Sequence, residues 1–261
     1  QPPLNYTDDL NTQLFTDRQK SLCAGARFSV VDDLHWLTGA RMLSADGDGA
    51  GYGSPHDTRV HGKVTPYTGL VYDLTPRWSL YTSWTKIFKP QYLRSTGGGL
   101  LLPLQGKSLE VGIKGLVFDE RLTLTAAAFK TDQQNVAELT GEIVGGQYLY
   151  RGTNLKSRGF ELGASGEALP GLDIAGGYTF VQIEDANGDE TRKYIPTHTL
   201  RGSLTYRLPE MPSVRVGTRF QWQSATEVDT NRNVRQDAYA LVDLMASYDI
   251  DDHWSTSLNL N

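Results

Sequence analysis

Hydrophobic and polar side chains alternate along most of the chain, most clearly on either side of a Pro-rich turn at 209–212. Alternation with a period of two predicts strands, here Thr199–Leu208 and Val214–Gln223 joined as a hairpin. One face of the predicted hairpin is apolar, with Leu204 and Phe220 among its residues. The opposite face carries four arginines: Arg201, Arg207, Arg215 and Arg219.

The same alternation recurs through the rest of the sequence, and its polar phase carries charges at mid-strand: Glu110, Lys114, Glu161 and Asp243. We predict about twelve antiparallel strands of roughly 10–15 residues, beginning near Ala24 after an irregular segment at 1–20 that a strand enters near Phe15. Short turns alternate with long, Gly- and Asp-rich loops, which we predict at 46–59, 89–106, 137–147, 184–196 and 224–237.

Two all-β architectures accommodate this pattern. In a soluble sandwich the apolar face is the core and the arginine face is wet, which would make the chain a secreted β-rich binding protein. In an outer-membrane barrel the apolar face meets lipid, where a charge near the midplane costs about 2–4 kcal/mol, so the arginines point inward. Short turns at one end of the strands and long loops at the other favour the barrel.

Composition narrows the function classes. The net charge of −5 argues against a nucleic-acid partner, since such binders usually carry a concentrated basic patch. No run approaches the ~18 apolar residues of a membrane helix, whereas alternating strands dilute hydropathy and leave barrel spanning open. The single cysteine, Cys23, excludes an internal disulfide and a cysteine-based zinc cluster. We find no catalytic motif and no complete metal-ligand motif, so we do not expect an enzyme.

Short motifs spaced along the chain carry a family resemblance. They include Phe88-Lys89-Pro90-Gln91, Glu110-Val111-Gly112-Ile113-Lys114-Gly115, Gln134-Asn135-Val136-Ala137, Ser157-Arg158-Gly159-Phe160-Glu161-Leu162 and Val242-Asp243-Leu244. In this order, from about Asp17 to Asn261, the sequence resembles the C-terminal part of the barrel of TonB-dependent outer-membrane ferric-siderophore receptors.

The resemblance implies a fold, a location and partners. The fold is an antiparallel transmembrane β-barrel of 22 strands, of which residues 1–261 supply about twelve, as a domain truncated at both ends and without its plug. The location is the outer membrane of a Gram-negative bacterium. The partners are outer-membrane lipid, a ferric siderophore and TonB, the last through the missing N-terminal part. The siderophore carries the iron, so no protein cofactor is expected; receptors for haem or cobalamin and a plugless porin are alternatives within the barrel class.

The resemblance also proposes roles for residues. Aromatic side chains near the predicted loop ends are candidates for contact with the siderophore: Trp84, Phe88, Tyr92, Tyr148, Tyr150 and Tyr194. The alternative for such residues is the aromatic girdle at the outer lipid interface. The charges of the polar phase would face the lumen and the plug: Glu110, Lys114, Glu161, Arg201, Arg207, Arg215, Arg219 and Asp243.

Overall fold

The computed structural model of the chain describes residues 13–51, 54–55, 57–228 and 231–261. Its strands are β1 (Gln13–Val31), β2 (Leu34–Gly51), β3 (Ser54–Pro55), β4 (Thr58–Thr75), β5 (Trp78–Lys89), β6 (Leu104–Val117), β7 (Leu122–Val144), β8 (Gln147–Leu169), β9 (Leu172–Glu184), β10 (His198–Arg207), β11 (Val214–Gln223), β12 (Thr226–Val228), β13 (Asn231–Gln236), β14 (Tyr239–Asp249) and β15 (Ser255–Leu260).

A single sheet contains all but β12 and β13, which pair with each other. Along the sheet the order is β1-β2-β4-β5-β6-β7-β8-β9-β10-β11-β14-β15, with β3 beside β2. Every neighbouring pair is antiparallel, so the main path has the twelve antiparallel strands that the alternation predicts. Among the described residues, no helix is long and apolar enough to cross a membrane.

Register fixes the two faces of the sheet, because residues paired across antiparallel strands point the same way. Leu204 of β10 is paired with Ile174 and Thr218, and Thr218 with Leu244. We call this side the apolar face. Arg219 is paired with Ser203 and Asp243, and this side is the polar face. The alternation therefore continues in phase from strand to strand, as it must if one side of the sheet is to remain apolar.

The two ends of the strands differ. At the turn end, the connections are 32–33, 76–77, 118–121, 170–171, 208–213 and 250–254. At the loop end, the segments 90–103 and 185–197 are the longest connections, and the hairpin β12–β13 lies within the segment between β11 and β14. Most of the buried apolar side chains lie toward the loop end: Leu43, Ala45, Phe88, Leu101, Leu149 and Leu155.

The predicted loop at 137–147 is wrong. β7 and β8 continue through it as a hairpin of 23 residues per strand, closed by Gly145 and Gly146. Both glycines have positive φ, 58° and 79°, which is the requirement of a type I′ turn. The glycines that indicated a loop instead make a tight hairpin turn, and Gly141, with φ of 84°, lies in an irregularity of the ladder.

Three other predicted boundaries also shift. Residues 46–51 of the predicted loop 46–59 belong to β2, and their partners are 13–18 of β1, in the segment predicted to be irregular. Residues 1–12 of that segment lie outside the described residues. The predicted loop 224–237 contains the hairpin β12–β13, and β6 begins at Leu104, inside the predicted loop 89–106. In each case a neighbouring strand supplies backbone partners that local composition does not reveal.

Candidate functional site

The segment 90–103 is fastened to the base of the β7–β8 hairpin by two amide side chains. Gln91 Nε2 donates to the carbonyl oxygens of Leu102, at 2.7 Å, and Asn135, at 2.6 Å. Asn135 Nδ2 donates in turn to the carbonyl of Pro103, at 3.2 Å. Asn135 has a φ of 58° within a register shift of β7, a conformation that Asn tolerates better than most residues. The bulge therefore places Asn135 so that its carbonyl and its side-chain amide both bind segment 90–103.

A second attachment joins the same segment to the hairpin at Tyr150. The Tyr150 N–H donates to the carbonyl of Arg94, at 2.8 Å, and the Thr96 N–H donates to the carbonyl of Tyr150, at 3.3 Å. Arg94 Nη1 also donates to Gln147 Oε1, at 3.2 Å. Segment 90–103 is thus attached to β8 near the hairpin tip, where Ser95 and Tyr150 form an isolated parallel bridge.

The hairpin also holds the segment 185–197, through Arg192. Its Nη2 donates to the carbonyl of Ala137, at 3.3 Å, and lies 3.8 Å from Glu138 Oε2, with the side chain only 13% exposed. Glu138 also accepts from the exposed side chain of Arg151. One carboxylate therefore ties the loop to the hairpin and the two hairpin strands to each other.

The segment 185–197 continues the contacts to the β12–β13 hairpin. Lys193 Nζ lies 3.1 Å from Glu227 Oε1, and the Glu227 N–H donates to the carbonyl of Lys193, at 3.1 Å. Segments 90–103 and 185–197, the β7–β8 hairpin beyond Asn135 and the β12–β13 hairpin are thus linked in one chain of contacts. We call this assembly the rim. None of its attachments was predicted, because each joins segments that are distant in sequence.

The rim contains four of the six aromatic candidates. Tyr148 and Tyr150 are on the same face of β8, in phase with Phe160 of the apolar face but at the hairpin end of the strand, and Tyr148 is 55% exposed. Tyr194 lies in segment 185–197 and is also exposed. Tyr92 lies in segment 90–103, where burial and the nearby carboxylates of Asp17 and Asp46 raise the pKa of its phenol. Tyr92 therefore lies near the outer parts of β1 and β2.

Trp84 and Phe88 lie elsewhere. Trp84 is paired with Leu109 and Thr68 on the apolar face, the phase that suits an interfacial girdle better than a ligand contact. Phe88 is 7% exposed. Lys63 Nζ lies 5.0 Å from the centre of its ring, and Arg41 Nη2 donates to its carbonyl, at 3.4 Å.

The surroundings of Phe88 follow from a break in the sheet. β4 and β5 pair from the turn end only as far as Tyr67 and Thr85, and the next residue of β4 is Pro66. A proline has no N–H to donate to a neighbouring strand, so pairing ends there. Beyond this point the described part of β4 pairs with β2, and β5 pairs with β6. Phe88 and its two cationic neighbours occupy the region where the strands part.

All eight charged residues predicted from the alternation share the polar face in the strand register. Arg219 is directly opposite Asp243, while Arg207 is directly opposite Arg215. Glu110 accepts a hydrogen bond of 2.7 Å from the Tyr81 hydroxyl. The Tyr81 ring lies against Gly112, where a Cβ would come within 2.6 Å of it. Tyr81 was missed, although its phase in β5 could have identified it.

No group of three or more His, Cys, Asp or Glu that could hold a metal ion occurs in the described ranges. Two carboxylates of the rim, Glu138 and Glu227, are engaged with arginine and lysine.

Comparison with known proteins is decisive at this point. The family described as TonB dependent receptor-like, beta-barrel, matches residues 1–261. The chain belongs to the TonB-dependent receptor β-barrel family. Membership places it in the outer membrane of a Gram-negative bacterium and in a family of receptors rather than enzymes.

Its relatives include ferric-pyoverdine receptors. The chain is 36% identical to the ferric-pyoverdine 358 receptor of Pseudomonas putida, over 94% of this chain and 32% of that protein. It is 35% identical to the ferripyoverdine receptor of Pseudomonas aeruginosa, over 99% of this chain and 32% of that protein. The chain therefore spans about a third of the length of these relatives.

Solved structures agree on the fold. The pyoverdine outer membrane receptor FpvA from Pseudomonas aeruginosa, bound to pyoverdine, matches with a TM-score of 0.80 and 33% identity, over 95% of this chain and 38% of that one. The alcaligin outer membrane receptor FauA from Bordetella pertussis matches with a TM-score of 0.72 and 34% identity, over 93% of this chain and 43% of that one. The predicted all-β antiparallel receptor fold and the predicted family are confirmed.

Proposed function

We propose that this chain forms part of the barrel wall of a receptor that imports a ferric siderophore of the pyoverdine class across the outer membrane, with energy delivered by TonB. The observation that carries the proposal is the similarity to ferric-pyoverdine receptors along 94–99% of the chain. A similarity of this extent includes the rim as well as the transmembrane strands. That extent favours the siderophore over haem, cobalamin or a plugless pore.

In this proposal the twelve-strand sheet is a segment of a closed barrel of 22 strands. Its apolar face meets lipid, its polar face lines the interior, and the rim lies outside the cell. An unpaired charge at the lipid midplane costs about 2–4 kcal/mol, which supports this orientation because the mid-strand arginines share the polar face. The turn end of the sheet then faces the periplasm, as short turns do in such barrels.

Transport needs parts that the proposal assigns to the whole receptor. An N-terminal plug would fill the interior and carry the segment that contacts TonB, and residues 1–261 would be one partial barrel domain. The polar-face charges, from Glu110 to Asp243, would contact the plug through polar interactions that can break during transport. Hydrogen bonds to charged groups contribute about 1.5–3 kcal/mol each, so a small number of them would hold the plug and could still break during transport.

Ligand contact is proposed for the exposed aromatics of the rim. Tyr148, Tyr150 and Tyr194 offer flat apolar surfaces with a hydroxyl at the tip, which suits a bulky chelate with aromatic and polar groups. Tyr92 and Phe88 would support the mouth from the side of β1, β2 and β4. Trp84 is assigned to the lipid interface because it lies on the apolar face. Iron would be held by the siderophore, so the protein would need no cofactor of its own.

Uptake by cells tests the proposal. The full-length gene would be expressed in a Pseudomonas strain that lacks its own ferripyoverdine receptors and is starved of iron. We expect accumulation of radiolabelled iron from ferripyoverdine, and loss of that accumulation in an otherwise identical strain without TonB. Uptake of haem or cobalamin with none of ferripyoverdine would refute the assignment.

Three alanine variants, two at the hairpin and one control, test the site. Tyr148→Ala and Tyr150→Ala should each weaken ferripyoverdine binding by about tenfold, as expected for aromatic contact residues, whereas Trp84→Ala should leave affinity within about twofold. Surface amounts of the receptor, measured by immunoblot, control for folding. Equal losses in all three variants would contradict a ligand site on the hairpin.

A further inference from the structure

A cavity of about 340 Å³ lies on the polar face at the turn end of β8–β11. Its lining consists of Gly171, in the turn between β8 and β9, and of five strand residues that share the polar phase: Glu167, Asp173, Thr205, Arg207 and Arg215. Its volume is at the small end of ligand pockets, enough for a side chain and a short piece of its backbone.

The basic wall of the cavity is an uncompensated pair. Arg207 of β10 is directly opposite Arg215 of β11, on the same face. Neither side chain forms an ion pair with any described residue. Like charges directly opposite on adjacent strands destabilise a sheet. A carboxylate bound between two directly opposed arginines would relieve this repulsion.

Neither carboxylate of the acidic wall forms an ion pair with these arginines. Glu167 Oε1 accepts the Gly171 N–H, at 2.7 Å, and Glu167 Oε2 lies 3.3 Å from Arg121 Nη1. Both of its oxygens therefore have partners at the turn. Asp173 is paired in register with Glu167 on one side and Thr205 on the other, and it has no ion pair within the described residues. The cavity thus has a cationic side and, at Asp173, an anionic side.

We propose that Arg207 and Arg215 form a carboxylate-binding site in this cavity. Arginine forks bind carboxylates through paired hydrogen bonds, and a donor on the same ligand would face Asp173. An acidic residue in a peptide offers both groups, a carboxylate and a nearby N–H. The proposal rests on the proposed function in one respect, that the polar face lines the barrel. The carboxylate comes either from polypeptide inside the barrel or from the siderophore in transit.

The sign of a stability change tests the site. In the full-length receptor in detergent, Arg207→Gln/Arg215→Gln removes the opposed charges. Without a bound carboxylate this change relieves repulsion, so the denaturation midpoint should stay or rise. With a bound carboxylate it removes the ligand's partners, so the midpoint should fall, and hydrogen exchange over 205–215 should accelerate about tenfold. Ser203→Ala, on the same strand and face but outside the cavity, is the control and should change neither.

Hydrogen exchange measured with and without ferripyoverdine identifies the source of the bound carboxylate. Protection of 205–215 that depends on the arginines in the ligand-free receptor identifies a polypeptide carboxylate. Arginine-dependent protection that appears only with ferripyoverdine identifies the siderophore. The variant Arg207→Lys/Arg215→Lys keeps the positive charges but loses the paired guanidinium donors. Its denaturation midpoint and its exchange rate over 205–215 should lie between those of wild type and the Gln variant. The carboxylate site is overturned if the denaturation midpoint of the Gln variant is unchanged or raised and its exchange over 205–215 is unchanged both with and without ferripyoverdine. The proposed function is tested separately, by ferripyoverdine uptake through the wild-type receptor.

Discussion

The transmembrane part of the sheet and the rim are stabilised in different ways. In the former, a single layer of strands leaves large apolar side chains open, such as Leu162 at 48% and Val242 at 61% exposure. Lipid must cover them, and the backbone ladder supplies the internal contacts. In the rim, loops lie against an extended hairpin, Leu101 and Leu149 are buried, and side chains bind backbone carbonyls. The alternation of apolar and polar residues specifies the transmembrane sheet, whereas hydrogen bonds and ion pairs between particular residues specify the rim.

The largest expected effect contrasts adjacent alanines on the two faces. Ala126 is paired with Leu162 on the apolar face, and Ala127 with Glu161 on the polar face. Ala126→Arg places a charge against lipid and should lower the free energy of unfolding by about 2–4 kcal/mol. Ala127→Arg, near a carboxylate, should change it by less than about 1 kcal/mol. Denaturant titration of the full-length receptor in phospholipid vesicles measures both, and equal losses would contradict the assignment of the faces.

Next in size is a change within the rim. Arg192→Ala leaves the Ala137 carbonyl and Glu138 without this donor, and should lower the local opening free energy of segment 185–197 by about 1–3 kcal/mol. Arg151→Ala removes the exposed partner of the same Glu138 and should cost about 0–1 kcal/mol. Hydrogen exchange of 185–197 in the full-length receptor compares them. A larger effect for Arg151 would mean that the segment is held elsewhere.

The hairpin turn provides a third test. Gly146→Ala puts a Cβ on a residue with φ of 79° and should cost about 1–2 kcal/mol of local stability, seen as faster exchange at 143–148. Gly146→Asn should cost less because Asn tolerates this conformation. Gly99→Ala, at a loop position without positive φ and with open space around the added Cβ, is the matched control. If Ala and Asn are equally tolerated, the turn is not of the I′ type.

The smallest effect is a pH dependence at Tyr92. Its raised pKa means that the folded state holds the phenolic proton more tightly than the unfolded state does. This stabilisation is complete below the unfolded pKa of about 10 and is lost as the pH rises through the folded value. Wild type should therefore lose rim protection above about pH 10 more steeply than Tyr92→Phe does. Parallel pH profiles would show that the phenol is not linked to the fold of the rim.

The same contrast explains what the sequence could predict. Twelve strands, their order and their faces follow from alternation, because one slip of register would expose a whole apolar set to the wrong side. Residues 137–147 were misassigned because Gly141, Gly145 and Gly146 indicate a loop by composition but provide an irregularity and a turn by conformation. Once the hairpin is known to extend, the positions of Gln91, Arg94 and Arg192 beside it become intelligible.

Other parts of the site depend on contacts between segments distant in sequence. Arg192 and Glu138 are separated by more than fifty residues, and nothing local to either indicates the other. The opposed Arg207 and Arg215 could have been paired from the turn length alone, since both lie in the polar phase of one hairpin. The cavity beside them also needs the register of β8 and β9, which the sequence does not fix.

In the proposed orientation, with the rim outside the cell, the β7–β8 hairpin extends far from the membrane. A strand needs about 9–11 residues to cross a bilayer, and these strands have 23 each. The remainder, at about 3.3 Å per residue, carries the Gly145–Gly146 tip about 40 Å along the strand direction beyond the membrane. Exposed turns with small residues at the tip of a hairpin tolerate insertions well. A peptide epitope inserted between the two glycines would therefore be presented to antibodies on intact bacteria, far from the lipid and from the strands that cross it.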